Sequence, residues 1–166
     1  MKKITFILFA LIAGTTFAQD ATGTADVNAL IVTPIAITDG SDLNFGSIVA
    51  AGGGNVRVNT AGTRTFSNND MNVETATTIS AASFNVTAAD TYSYSISIPP
   101  TVLKDAASVG VDMPVSFTHD LGGLTDGTAT GTGSAQELLV GGLLTVAAGQ
   151  TEGAYTGTVT VTVAYE

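Results

Sequence analysis

Downstream of residue 24, apolar and polar side chains alternate with a period of two through one segment after another, and clusters of Gly, Asn and Asp separate the segments. That period belongs to strands with one buried face. No long window carries the i, i+3, i+4, i+7 apolar spacing of an amphipathic helix, and the residue supply (Thr, Val, Ala, Ile, Gly, Ser) favours pleated structure. The pattern predicts strands over 24–32, 34–38, 43–49, 55–60, 83–88, 92–98, 113–118, 137–146 and 154–165. The fold class expected is all-β, an antiparallel sandwich or barrel with little or no helix.

Pro34 divides what would be one long first strand, because proline cannot donate to a ladder and holds its predecessor in extended geometry. Pro99-Pro100 is expected to end the strand at 92–98. Gly52-Gly53-Gly54, Gly122-Gly123 and the low-complexity stretch 126–134 read as loops. No internal repeat and no long linker appears, so residues 19–166 are expected to form a single domain.

The first eighteen residues stand apart. Lys2 and Lys3 precede the apolar run 4–13 and a small-residue site at Thr16-Phe17-Ala18, the pattern of a secretory signal peptide. Export is expected, and no later stretch approaches the ~20 apolar residues of a membrane span, so no membrane insertion is expected. Without the leader, three cations (Arg57, Arg64, Lys104) face fourteen acids, and the formal charge of −9 for the whole chain falls to −11 with the loss of two lysines. Such a surface repels phosphate backbones and anionic lipid heads, which argues against nucleic acid as a partner. Cysteine is absent, so packing and hydrogen bonding must hold the fold without disulfides.

Reagents for catalysis are scarce. His119 is the single histidine and, with no cysteine, lacks partners for a zinc site; it is expected at the exposed end of the 113–118 strand. No Gly-x-Ser-x-Gly elbow occurs. The acids Asp39, Asp42, Asp70, Asp90, Asp105, Asp120 and Asp126 fall mostly in expected turns. Asp39-Gly40-Ser41-Asp42 has oxygen donors for calcium but neither the length nor the closing glutamate of an EF-hand loop, and turn chemistry accounts for it equally well. Asn85-Val86-Thr87 matches a glycosylation triplet inside an expected strand. Tyr92 and Tyr94 share a strand face, a pattern of core more often than of sugar stacking. A non-enzymatic protein with no cofactor and no metal is expected.

The two ends of the exported chain carry complementary patterns. Toward the end, Tyr155, Gly157, Val159, Val161, Val163 and Tyr165 alternate with Thr156, Thr158, Thr160, Thr162 and Ala164. The sequence stops on this strand, which must find partners on both sides or leave unpaired backbone groups that invite another strand. At the beginning, Ala25, Val27, Ala29 and Ile31 alternate with Asp26, Asn28 and Leu30 in residues 19–33. That segment reads either as the first strand of its own sandwich or as a detachable donor arm.

The runs "LNFGSI" (43–48), "FNVTAADTYSYSISIPP" (84–100) and "LTVAAGQTEGAYTGTVTVTVAYE" (144–166) together resemble the bacterial domain-of-unknown-function family 4402. The same landmarks are similar to spore coat U and archaic chaperone-usher pilin domains. This resemblance implies an immunoglobulin-like sandwich lacking its last strand, whose groove is filled by a periplasmic chaperone and then by the N-terminal extension of the next subunit. It also implies a penultimate aromatic, here Tyr165, and a glycine fourteenth from the end, here Gly153. The function expected is a secreted structural subunit of fimbria or coat type at the bacterial cell surface, exported through the periplasm and joined to like subunits by donor-strand addition. Ala25, Val27, Ala29 and Ile31 would supply the joint, set in a groove beside Val159, Val161, Val163 and Tyr165. The alternative is a self-contained monomeric sandwich that binds glycan or protein through its loops.

Overall fold

The computed structural model describes residues 20–50, 52–74, 77–107, 110–121 and 127–166. The expected leader and the Gly122-Gly123 loop lie outside them. The chain divides into two units, Met1–Ile31 and Val32–Glu166.

In the first unit, residues 20–31 form no strand, and Val27 and Ile31 are each 94% exposed. The strand expected at 24–32 is therefore not formed. A lone alternating segment has no ladder to satisfy its N–H and C=O groups, so the pattern alone does not hold it straight.

The second unit is all-β. Its strands are β1 (Ala36–Asp39), β2 (Gly54–Val58), β3 (Arg64–Phe66), β4 (Ala82–Thr87), β5 (Ser93–Ser97), β6 (Thr101–Asp105), β7 (Met113–His119), β8 (Thr128–Thr130), β9 (Ala135–Val146), β10 (Tyr155–Thr156) and β11 (Thr162–Tyr165). Among the described residues a 3-10 turn, Asn69–Met71, is capped by the Asn68 side chain, which accepts from the Asp70 N–H. The larger sheet runs β1-β4-β9-β7-β6-β10, with β2 on the far half of β9 and β3 outside β2; the smaller runs β11-β5-β8. Every pairing is antiparallel.

Strand β9 organises the larger sheet. Its first half pairs with β4, up to Ala82↔Val140, and its second half with β2, from Val58↔Gly142. At the handover a Cβ on Gly141 would stand 2.5 Å from the Val58 carbonyl oxygen, so the position admits only glycine without moving backbone. The inner faces close a shared core in which Val86, Leu138 and Val140 of the larger sheet join Tyr94 and Ile96 of the smaller, with Ile98 just past the end of β5. The Tyr94 hydroxyl donates across to the Gln136 side-chain oxygen at 3.4 Å.

Three strands fall where none was expected. β5 ends at Ser97 ahead of Pro99-Pro100, as expected, and β6 starts directly after the two prolines, so they separate two strands. β8 lies in the low-complexity stretch, where Thr128 and Thr130 pair with β5; β3 follows a turn closed by Asn59. Conversely, 43–49 carries only two isolated bridges, Asn44↔Ser80 and Ile48↔Asn72. The single strand expected at 154–165 is two strands, in two different sheets.

Candidate functional site

The split of that last segment follows from its partner. β10 pairs with β6 (Tyr155↔Asp105, Thr156↔Lys104) and β11 with β5 (Thr162↔Ser97 through Tyr165↔Tyr94), so residues 155–165 run antiparallel to 94–105 and cross with them from one sheet to the other. Pro99 and Pro100 stand opposite the crossing and have no N–H to give. Residues 157–161 accordingly make no backbone hydrogen bond to another described residue. Both β10 and β11 are the outermost strands of their sheets, so the segment also has a free outer edge.

The side chains keep the expected faces, at lower burial than a core strand. Tyr155, Val159, Val161, Val163 and Tyr165 are half-buried and pack against the core, while Thr156, Thr158, Thr160, Thr162 and Ala164 are exposed. Gly157, expected on the core face, is exposed; a Cβ there would lie 2.7 Å from a Leu103 methyl and 2.8 Å from the Val102 carbonyl oxygen. Glycine lets the segment lie close against β6.

Beside this edge runs a trench of about 1100 Å³. One wall is residues 150–159 and the other residues 39–50; the floor includes Met113, Val115 and Phe117 of β7 and Leu144 and Val146 of β9. These floor side chains are packed on one another as core, so the trench is roofless rather than a hole in the fold.

Each wall is fixed from behind. In the first, the Asn44 carboxamide oxygen accepts from the Gly46 N–H at 2.8 Å, and Gly46 sits at φ +70°, where glycine is favoured. Arg64 donates to the Phe45 and Ser47 carbonyls at 2.7 and 2.9 Å, with its guanidinium 4.7 Å above the Phe66 ring. Phe45 and Leu43 fill the space left by the missing side chain of Gly142, whose Cβ would stand 2.8 and 2.9 Å from them. In the second wall, the Tyr155 hydroxyl donates to the Thr151 carbonyl and accepts from the Gln150 side chain, which also donates to the Val111 carbonyl.

A family model described as "Domain of unknown function (DUF4402)" matches residues 35–165. The chain belongs to that family. No curated protein and no solved structure matches it. The DUF4402 match takes in both trench walls and every strand among the described residues, and leaves residues 20–34 outside.

Of the residues expected at an assembly joint, the DUF4402 domain brings Val159, Val161, Val163 and Tyr165 to one face of one segment, with Val159 in the trench wall. Ala25, Val27, Ala29 and Ile31 lie in the first unit, exposed and outside any strand. Tyr165 does more than pack. Its hydroxyl accepts from the Ala89 N–H at 2.6 Å and donates to the Thr33 carbonyl at 2.8 Å, and its ring meets Tyr92 edge-on at 6.0 Å.

Two polar expectations are corrected. His119 ends β7 as expected but is buried, 5% exposed, and neither ring nitrogen has a hydrogen-bond partner; it continues the inward row Met113, Val115, Phe117, so register put it inside. Asp105, expected in a turn, is the buried last residue of β6, and its carboxylate accepts from the Ala107 and Gly110 N–H groups. Tyr94 is buried core, whereas Tyr92 precedes β5 and lies partly exposed on Tyr165. Burial holds the Tyr94 phenol above its ordinary pKa. Among the described residues no group of three His, Asp or Glu is placed to hold a metal, and no helix is long and apolar enough to cross a membrane.

Proposed function

We propose that this protein is a non-enzymatic, exported structural subunit of the bacterial cell surface, similar in plan to fimbrial and spore coat U domains, that joins like subunits by strand addition. The observation that carries the reading is the free edge of residues 155–165, the first part of which, 155–159, walls a trench floored by core side chains. An edge with unpaired N–H and C=O groups is a template for another strand.

The arm supplies a matching occupant. Residues 20–33 reach roughly 45 Å when extended, and the free edge spans roughly 35 Å. Full burial of Val27 and Ile31 contributes about 1.5–3 kcal/mol each, and each ladder hydrogen bond adds about 0.5–1.5 kcal/mol, set against the cost of ordering an arm that forms no strand of its own. A periplasmic chaperone would meet the same edge before assembly, by the same backbone chemistry.

Removal of residues 19–31 tests the reading. The shortened protein is expected to run as a monomer on size exclusion and to show no polymers by negative-stain microscopy, where the full mature chain forms them. Polymers unchanged by the deletion would refute the arm's role. A full-length chain that stays monomeric at micromolar concentration would favour the self-contained binding module.

A further inference from the structure

We propose that Tyr92 and Tyr165 form an oxidation site, at which a haem peroxidase with hydrogen peroxide joins the two rings by a carbon–carbon bond. The inference is independent of strand addition and concerns what holds β11 in place in a chain without cysteine.

Oxidisable side chains are few in the second unit. Cysteine and tryptophan are absent from the whole sequence, and Met71, Met113 and His119 are buried. Of the four tyrosines, Tyr94 is fully buried and Tyr155 and Tyr165 are half-buried. Tyr92, 38% exposed, is therefore the ring that a dissolved oxidant meets first.

Its partner is already beside it. The Tyr92 and Tyr165 ring centroids are 6.0 Å apart with the planes at 65°, so the edge of one ring faces the other. Register sets this contact: Tyr165 pairs with Tyr94 across β11 and β5, which makes Tyr92 its diagonal neighbour, a spacing that aromatic side chains span. Both residues are braced on Ala89. The Tyr165 hydroxyl accepts from the Ala89 N–H, and the Tyr92 N–H donates to the Ala89 carbonyl at 3.3 Å. The Tyr92 carbonyl also accepts from the Gly131 N–H at 2.8 Å. Coupling thus starts from a held contact rather than from a chance encounter.

In the coupling step each phenol gives up one electron and one proton, and the two phenoxyl radicals join through ring carbons next to the oxygens. The hydrogens on those carbons move to the oxygens and restore both phenols. Hydrogen peroxide takes up the two electrons and two protons and leaves as two molecules of water. The bond ties the outermost strand of the smaller sheet to the turn before β5. Joining positions far apart in the chain also takes freedom from the unfolded state, as a disulfide does.

The test mixes isotope-labelled and unlabelled mature protein at low concentration, adds a haem peroxidase and hydrogen peroxide, and maps the products by digestion and mass spectrometry. The expected main product is a pair of peptides joined through Tyr92 and Tyr165, lighter than its parts by a pair of hydrogen atoms and never mixed in label. The linked protein is expected to unfold at a higher urea concentration than untreated protein. Tyr92→Phe, which keeps a ring against Tyr165, is expected to abolish both the link and the gain. Tyr165→Phe is expected to do the same, and Tyr92→Phe decides the matter if that variant does not fold. Links spread over all four tyrosines, links mainly between copies, or no link between Tyr92 and Tyr165 would overturn the proposal. A link between them with no rise in the urea midpoint would overturn its part in holding β11.

Discussion

Tyr94 shows how a single side chain reports on the sandwich. It is fully buried between the sheets, its hydroxyl bonded to Gln136, and burial raises its pKa. The folded state therefore holds the phenolic proton more tightly than the unfolded chain. Its contribution to stability is complete below about pH 10 and is lost as pH rises through the higher native value. Urea unfolding at pH 8 and pH 11 is expected to show a larger loss for the parent than for Tyr94→Phe; equal losses would mean that Tyr94 is not shielded. The sequence placed Tyr94 inward by alternation alone. It did not place His119 inward, because a residue type that usually sits near water overrode a register that pointed to the core.

At the scale of elements, β2, β4, β5, β7 and β9 were legible, since each carries a period-two pattern along a ladder that exists. The arm at 24–32 has the pattern without a ladder, and β8 has a ladder with little pattern. The sheet crossing in the last segment was written in Pro99-Pro100, but its consequence for residues 157–161 appears only when those prolines are seen to lie opposite. Gly141 likewise marks the handover from β4 to β2, a close approach that spacing along one strand does not disclose. The inward face of the last segment was legible, and Val161 tests it. Val161→Asp is expected to lower stability by about 1–3 kcal/mol, since it sets an unpaired charge against the core. An unchanged urea midpoint would place Val161 outside the packed face.

For the whole molecule, the central claim is that the outer edge of residues 155–165 is open in the single subunit and closed by a strand from outside it. The trench, its two braced walls and the exposed alternating arm all bear on that one edge. Backbone amides that lack a partner exchange with solvent quickly, and those in a ladder slowly. Hydrogen exchange of residues 157–161, followed in dilute full-length protein and in its assembled fraction, is the most direct measurement. The account predicts fast exchange in the dilute subunit and strong protection in the assembly; slow exchange already in the dilute subunit, or no gain on assembly, would contradict it.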